Sequence, residues 1–325
     1  MRFAGAVGFL LGIAGIAFGS SAYAGSCGGE IACGCGDTVR GEAVLEADLE
    51  NCHDDGLRLV ADAVLDCGGH RISGQGAGEG ILLDGAIGAE VRDCAITDFG
   101  IGVRIRGGAE NRIVGSSIRN SKRYGIDLAK GSSRNVLLVN HIEDSGDEGI
   151  HVGADANENA IIGNEIEGSG DENLYVLSSR GGVYAANMLS GSGSAAIYAK
   201  HVSESLFLAN EVEDKTIHVR GHSVDNVFQY NRLEKGRFIF EAYLEREHPR
   251  AVEGWTRPTR NRVFGGAVLD TKTCFQFKGA LDNSAHQVGA TRCKAKKESK
   301  KGGTRAAGNV VSLIEWPESE IGDAT

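Results

Sequence analysis

The chain has 325 residues, with 34 Lys and Arg against 44 Asp and Glu and a formal net charge of −10. That acidity excludes a general nucleic-acid binder, which needs a basic face for phosphates. Glycine contributes 48 residues and proline only 3. This speaks against a disordered linker and for many tight turns between short, regular strands.

In chain order, an export signal comes first. Arg2 precedes an apolar or small run over residues 3–18 centred on Leu10, Leu11, Ile13 and Ile16, and Ala22-Tyr23-Ala24 offers small residues at a cleavage site. Residues 1–24 therefore read as a secretory signal peptide, because the run is short and glycine-rich for a membrane span. No second apolar run follows, so no stable membrane insertion is expected. The mature chain is expected to be secreted, periplasmic or on the cell surface.

All eight cysteines lie beyond that signal: Cys27, Cys33, Cys35, Cys52, Cys67, Cys94, Cys274 and Cys293. In an oxidising compartment each is a disulfide candidate, with the pairing left open. Cys33-Gly34-Cys35 lacks the second pair or the His spacing of a zinc site, so no metal site is expected there.

A short apolar–variable–apolar unit, often preceded by glycine, then recurs. It reads Ile81-Leu82-Leu83, Val103-Arg104-Ile105, Ile126-Asp127-Leu128, Ile150-His151-Val152, Leu174-Tyr175-Val176, Ile197-Tyr198-Ala199, Ile217-His218-Val219 and Phe238-Ile239-Phe240, at steps of 20–24 residues. Alternation with a period of two marks short strands. A second unit runs in phase, opened by Asn111, Asn135, Asn159, Asn226 and Asn261. A polar column follows it: Cys94, Ser116, Asn140, Asn164, Asn187, Asn210 and Asn231. Stacked asparagines can hydrogen-bond from coil to coil, and Tyr184, Phe207 and Phe228 are expected to stack inside.

A coil this short buries its apolar face only against neighbours, and it has no room for a helix. The reading is all-β: one right-handed parallel β-helix of about 9–11 coils of 20–24 residues. Residues 25–60 are expected as a cysteine-rich N-terminal cap. Residues 61–293 form the coil stack, with a loop excursion at 241–260. Residues 294–325 are expected as a basic loop, a last coil fragment and a flexible acidic tail.

Cys35-Gly36-Asp37-Thr38, the run from Leu65 to Gly74 and the units from Asn159 to Ile166 resemble bacterial right-handed β-helix repeat proteins of the pectin-lyase-like superfamily. The resemblance covers roughly residues 35–290 and lies in turn and core positions, so it implies the fold rather than an activity. Members are often polyuronate lyases or epimerases or polygalacturonases, and others have no known catalysis. The Asp-Pro-His motif of alginate epimerases is missing here, as are the Asn-Thr-Asp and Gly-His-Gly motifs of polygalacturonases.

The middle residue of the first unit points outward. Stacked coils line these residues up as Leu82, Arg104, Asp127, His151, Tyr175, Tyr198, His218 and Ile239. The row reads as a groove for an extended polysaccharide. Asp127, His151 and Tyr175 are its candidate catalytic residues. Arg104, Lys122, Arg123, Asp147, Asp171, Tyr198, Lys200 and His218 are its candidate substrate-binding residues. Proton abstraction beside a sugar carboxylate needs a base, an acid and a cation, which His151, Tyr175 and Arg104 or Lys200 can supply. Asp127 with Asp147 or Asp171 is the alternative acid–base pair, for glycoside hydrolysis. Plain cross-strand pairing would account for the same row without function.

An acidic stripe of Glu143, Glu165, Glu167, Glu211, Glu213 and Glu234 is read mainly as a solvated surface; calcium is the one candidate cofactor. Three readings follow: a secreted polysaccharide lyase, epimerase or hydrolase; a non-catalytic carbohydrate-binding or cell-surface β-helix; and, resting only on His151, His201 and His218, an accessory protein for metal-cofactor assembly.

Overall fold

The computed structural model describes residues 25–244, 255–291, 293–301 and 304–315. The export signal expected over residues 1–24 and the tail expected beyond 315 lie outside them. The described residues contain strands and no helix, coiled into a right-handed parallel β-solenoid of about 11 turns.

One 14-stranded sheet gathers a strand from successive turns, and its pairings are parallel except the last, where Thr304–Arg305 returns antiparallel on Lys294–Lys301. Its register is the repeat read from sequence: Ile81 pairs with Val103, Val103 with Ile126, Ile126 with Ile150, Ile150 with Leu174, and Leu174 with Ile197. Two further parallel ladders complete the cross-section, and the strand Ser284–Ala290 spans both of them. The sheet already runs through the cysteine-rich opening, where Ser26–Cys27 pairs with Asp37–Val39 and that strand with Leu57–Leu59.

Inward residues of all three ladders form one continuous apolar core. Ile126, Leu128, Leu137 and Ile142, from a single turn, have no exposed surface. Glycine precedes several strands because nothing larger fits there. A Cβ on Gly125 would run into Ile142 Cγ2 and the Gly149 carbonyl. Tyr184, Phe207 and Phe228 are fully buried and stack at 4.7 and 4.6 Å between centroids.

The asparagine column is a hydrogen-bonded ladder. Asn140 Nδ2 donates to Asn164 Oδ1 at 3.0 Å, Asn164 to Asn187 at 3.1 Å, and Asn187 to Asn210 and Asn210 to Asn231 at 2.9 Å. Each side-chain oxygen also accepts the backbone N–H of the asparagine one turn earlier. A second ladder joins Asn111, Asn135 and Asn159, and another joins Asn226, Asn261, Asn283 and Asn309. The strand-opening asparagines therefore do the same work as the first column. The cysteines close four disulfides, Cys27–Cys33, Cys35–Cys52, Cys67–Cys94 and Cys274–Cys293, as an oxidising compartment permits.

One segment differs from the sequence reading. Lys294–Lys301, expected as a basic loop, is a strand that extends the 14-stranded sheet. Its alternation is carried by one small residue, Ala295, which packs on the core between exposed Lys294 and Lys296. In the excursion after Glu241, Tyr243–Leu244 and Trp255–Thr256 pair antiparallel.

Asn164→Ala would strand buried donors and acceptors in three successive turns. We expect a loss of about 2–4 kcal/mol of stability, measured as a lower thermal midpoint.

Candidate functional site

The outward row is present, but it is packed rather than free-standing. Its end members, Leu82 and Ile239, are buried under neighbouring side chains although they point away from the core. Asp127 is also buried, at 3% exposure, so it is no surface acid. Arg104, His151, Tyr175, Tyr198 and His218 are half-buried.

Four rings stack along the axis. Tyr124 meets His151 at 4.8 Å, His151 meets Tyr175 at 5.6 Å, and Tyr175 meets Tyr198 at 5.3 Å, with interplanar angles of 17°, 9° and 22°. Tyr198 then meets His218 edge-on at 4.9 Å. Ring faces stacked in this way cover one another. What the row offers to the groove is ring edges and polar tips.

Two of those tips are engaged. Arg123 donates to the Tyr124 hydroxyl at 2.7 Å, and Arg220 donates to the Tyr198 hydroxyl at 2.9 Å. Between them, His151 Nε2 and the Tyr175 hydroxyl have no hydrogen-bond partner among the described residues. The His151 ring is held from its other nitrogen: Nδ1 lies 2.8 Å from Asp127 Oδ1. A carboxylate there selects the tautomer with the proton on Nδ1 and leaves Nε2 as a lone pair.

Asp127 is itself clamped. Arg104 Nε donates to its other oxygen at 2.9 Å, and Arg104 also donates to Glu79 Oε1 at 2.6 Å. The network continues from Glu79 to Asp55, whose Oδ1 accepts the Glu79 backbone N–H at 3.0 Å, and on to Arg58 at 2.6 Å. Arg104, an expected substrate-binding residue, carries two carboxylates on its guanidinium and clamps Asp127.

One rim of the row is built from the turns that precede the strands. Lys122, Arg123, Asp147 and Asp171 are exposed there, and Arg123 pairs with Asp147 at 3.6 Å. Their neighbours Glu148, half-buried, and Glu172, buried, are less exposed; the sequence places both in these turns and gives them no role. Glu172 is 6% exposed and accepts from Ser194 at 3.2 Å. Burial, with Asp171 and Glu148 nearby, pushes the Glu172 carboxyl up to about 7. Burial likewise raises Glu148. Burial raises the Tyr175 phenol, and the negative charges of Glu172 and Glu148 add to it, so Tyr175 keeps its proton.

The opposite rim follows the strands. Lys200 Nζ sits 4.0 Å over the Tyr243 ring, and the Arg220 guanidinium lies 4.5 Å from the same ring. His218 Nε2 meets Glu241 at 2.9 Å, and the His222 backbone N–H donates to His201 Nδ1 at 2.9 Å. Elsewhere, part of the acidic stripe is paired: Glu143 with Arg119 at 3.1 Å, Glu165 with His141 at 3.0 Å and Glu234 with Arg232 at 3.3 Å. Among the described residues no three metal-capable side chains converge.

Comparisons with known proteins agree with the fold. A family model described as a right-handed β-helix region matches residues 43–187. No curated protein matches the sequence. Among solved structures, the chain is similar to the A-module of the Azotobacter vinelandii mannuronan C-5 epimerase AlgE6, with 13% identity and a TM-score of 0.53, covering 86% of this chain and 91% of that one. It is similar to the catalytic unit of a GH87 α-1,3-glucanase from Streptomyces thermodiastaticus, with 11% identity and a TM-score of 0.55, over 86% and 63%. It is also similar to the Dettilon tailspike protein, with 11% identity and a TM-score of 0.50, over 89% and 60%.

Because the folded chain holds the Glu172 proton more tightly than the unfolded chain, stability falls as pH rises from about 4.5 towards 7 and is flat above. Glu172→Gln removes that cost. We expect the variant to be more stable than wild type at pH 8, by at most about 3 kcal/mol, and equally stable at pH 4. Thermal melts at the two pH values measure both.

Proposed function

We propose, from the premise that this chain is a right-handed parallel β-helix repeat protein, that its outward row binds a polysaccharide and transfers protons on it, with His151 as base and Tyr175 as acid. The observation that supports this reading most is the pair of open tips at the centre of the row. Every other polar tip in the four-ring stack is engaged, while His151 Nε2 and the Tyr175 hydroxyl, one coil apart, face the groove.

Each role follows from its surroundings. Asp127 holds the His151 ring by Nδ1, so Nε2 is the basic atom. Burial and two nearby glutamates keep Tyr175 protonated, which suits a donor rather than a base. Both tips rise from the same groove floor, so proton removal and delivery occur on one face of the sugar. That geometry favours elimination, as in a polysaccharide lyase, over epimerisation, which returns a proton to the opposite face. Lys200 and Arg220 are cations on the rim that follows the strands, where both lie against Tyr243.

A plain carbohydrate-binding surface is the less favoured alternative. Such a surface exposes flat aromatic faces to sugar rings, whereas these faces are covered by one another. The epimerase, glucanase and tailspike that share the fold support a polymer along the axis without fixing its chemistry. Four disulfides support a secreted or periplasmic setting.

The test is a polysaccharide panel read by ultraviolet absorbance for unsaturated uronate and by reducing-sugar release. We expect absorbance to rise with at least one polymer, and His151→Ala and Tyr175→Phe each to lower the rate by at least about a hundredfold, with thermal midpoints within a few degrees of wild type. Full activity in either variant would falsify the assignment. Silence in both assays, with retention on an immobilised glycan, would favour the binding surface.

A further inference from the structure

A second outward face of the solenoid carries almost no polarity. On the ladder that follows the groove in each turn, the strands Val136–Leu138, Ala160–Ile162, Val183–Ala185 and Leu206–Leu208 each begin and end on an outward residue. Their middle residues, Leu137, Ile161, Tyr184 and Phe207, are fully buried, which fixes those directions. The next residue in each turn, Val139, Gly163, Ala186 or Ala209, is apolar as well. Across these 12 positions no side chain carries a polar atom. The pairings stack them turn on turn, and Val114 and Val227 continue the strip at either end.

The strip is kept at a cost. Val139 is 55% exposed and holds a φ of +49°, and Ala186 and Ala209 hold +52° and +50°. The equivalent positions 115 and 163 are glycine, the residue that adopts this backbone without strain. A β-branched side chain there is disfavoured, and that of Val139 projects into solvent rather than into the core. One long edge of the strip is acidic. Glu167, Glu211 and Glu213, on the ladder beyond, are exposed and take part in no ion pair among the described residues. The arginines of the other edge are already answered, Arg134 by Glu110 at 3.1 Å and Arg180 by Glu204 at 2.6 Å.

We propose that this strip is the docking surface for a basic amphipathic helix of another polypeptide. The helix lies along the solenoid axis, with its apolar stripe on the strip and its lysines and arginines over the acidic edge. From the spacings of turns and residues, the strip is about 24 Å long and about 13 Å wide. That length suits a helix of about 16 residues. The footprint, on the order of 300 Å², falls short of the roughly 800 Å² that each partner gives a stable dimer, which argues against a second copy of this chain. A polysaccharide would leave hydroxyls unpaired on the strip. An extended strand would leave its own backbone unpaired, because the backbone groups here already pair from turn to turn, whereas a helix satisfies its own. The inference is independent of the groove, which lies on a different ladder.

The test measures binding of three synthetic peptides to the full chain by fluorescence anisotropy at physiological salt. The first is a helix of about 16 residues with a leucine stripe flanked by lysines. The second carries glutamates in place of the lysines, and the third has the first peptide's composition scrambled so that no stripe forms. Leu138→Gln with Leu208→Gln removes apolar surface without adding charge, and a thermal melt checks its fold. Val139→Gly serves beside it, since glycine suits that backbone. We expect the lysine-flanked helix to bind wild type at least about tenfold more tightly than either control, and the double variant at least about tenfold more weakly. We expect Val139→Gly to melt no lower than wild type yet to bind that helix about two- to threefold more weakly.

No binding of the lysine-flanked helix overturns the proposal. So does equal binding of the scrambled peptide, which leaves charge alone, or of the glutamate-flanked one, which leaves no preference for a basic partner. Unchanged affinity in the folded double variant, or in Val139→Gly should the double variant not fold, overturns it too. Two further measurements address other occupants. A wild-type dimer in sedimentation that the folded double variant or Val139→Gly weakens would assign the strip to a second copy. Binding to vesicles of phosphatidylcholine and phosphatidylglycerol, weakened in the same variants, would assign it to a membrane. Either result contradicts the helix.

Discussion

The register between successive coils governs everything else in this molecule. Each residue of one turn lies beside its counterpart in the next, about 4.8 Å away, so a residue type that recurs in sequence becomes a continuous column in space. Asparagines one turn apart form ladders in which every side-chain oxygen accepts from the preceding turn. Inward aromatics become a stack, as Tyr184, Phe207 and Phe228 do. The same rule on the outward face brings His151, Tyr175 and Tyr198 together, and Tyr124 joins them from the turn before the Asp127 strand. The candidate site is therefore a by-product of the fold's periodicity, and the rigid core beneath it keeps it in place.

What distinguishes that outward column from a decorative ladder is how unevenly its polar atoms are used. On the N-terminal side, a continuous series of polar contacts runs from Arg58 through Asp55, Glu79, Arg104 and Asp127 to His151. On the C-terminal side, Arg220 holds Tyr198, and Glu241 holds His218. The two sets of contacts stop short of each other, leaving a gap at His151 Nε2 and the Tyr175 hydroxyl. Half-buried Glu148 and buried Glu172 line that gap, and burial raises both carboxyls, that of Glu172 to about 7.

Much of this was legible in the chain. The alternation at Ile126-Asp127-Leu128 and its relatives gave the strand register pair by pair, because inward positions tolerate only apolar residues. The outward row followed from the same alternation, and His151 with Tyr175 stood out as its proton-carrying members. Other features were not legible, for physical reasons. Glu148 and Glu172 sit in turns, where side-chain direction depends on backbone bending rather than on a period of two, and the more exposed Asp147 and Asp171 were singled out in their place. Arg104 pointed the right way, but its engagement by Glu79 depends on a turn residue from the previous coil. The strand Lys294–Lys301 hides its alternation behind a single small inward residue, Ala295, so charge masked its place in the sheet. Disulfide pairing needed the distances themselves.

The most direct measurement is a crystal structure of the Tyr175→Phe variant with a bound oligosaccharide from an acidic polymer. The account predicts a sugar chain lying along the row, with one ring atom or hydroxyl within hydrogen-bond reach of His151 Nε2. Sugar bound instead on the face that carries Glu211, Glu213 and Glu234, or along the row but away from His151, would contradict it.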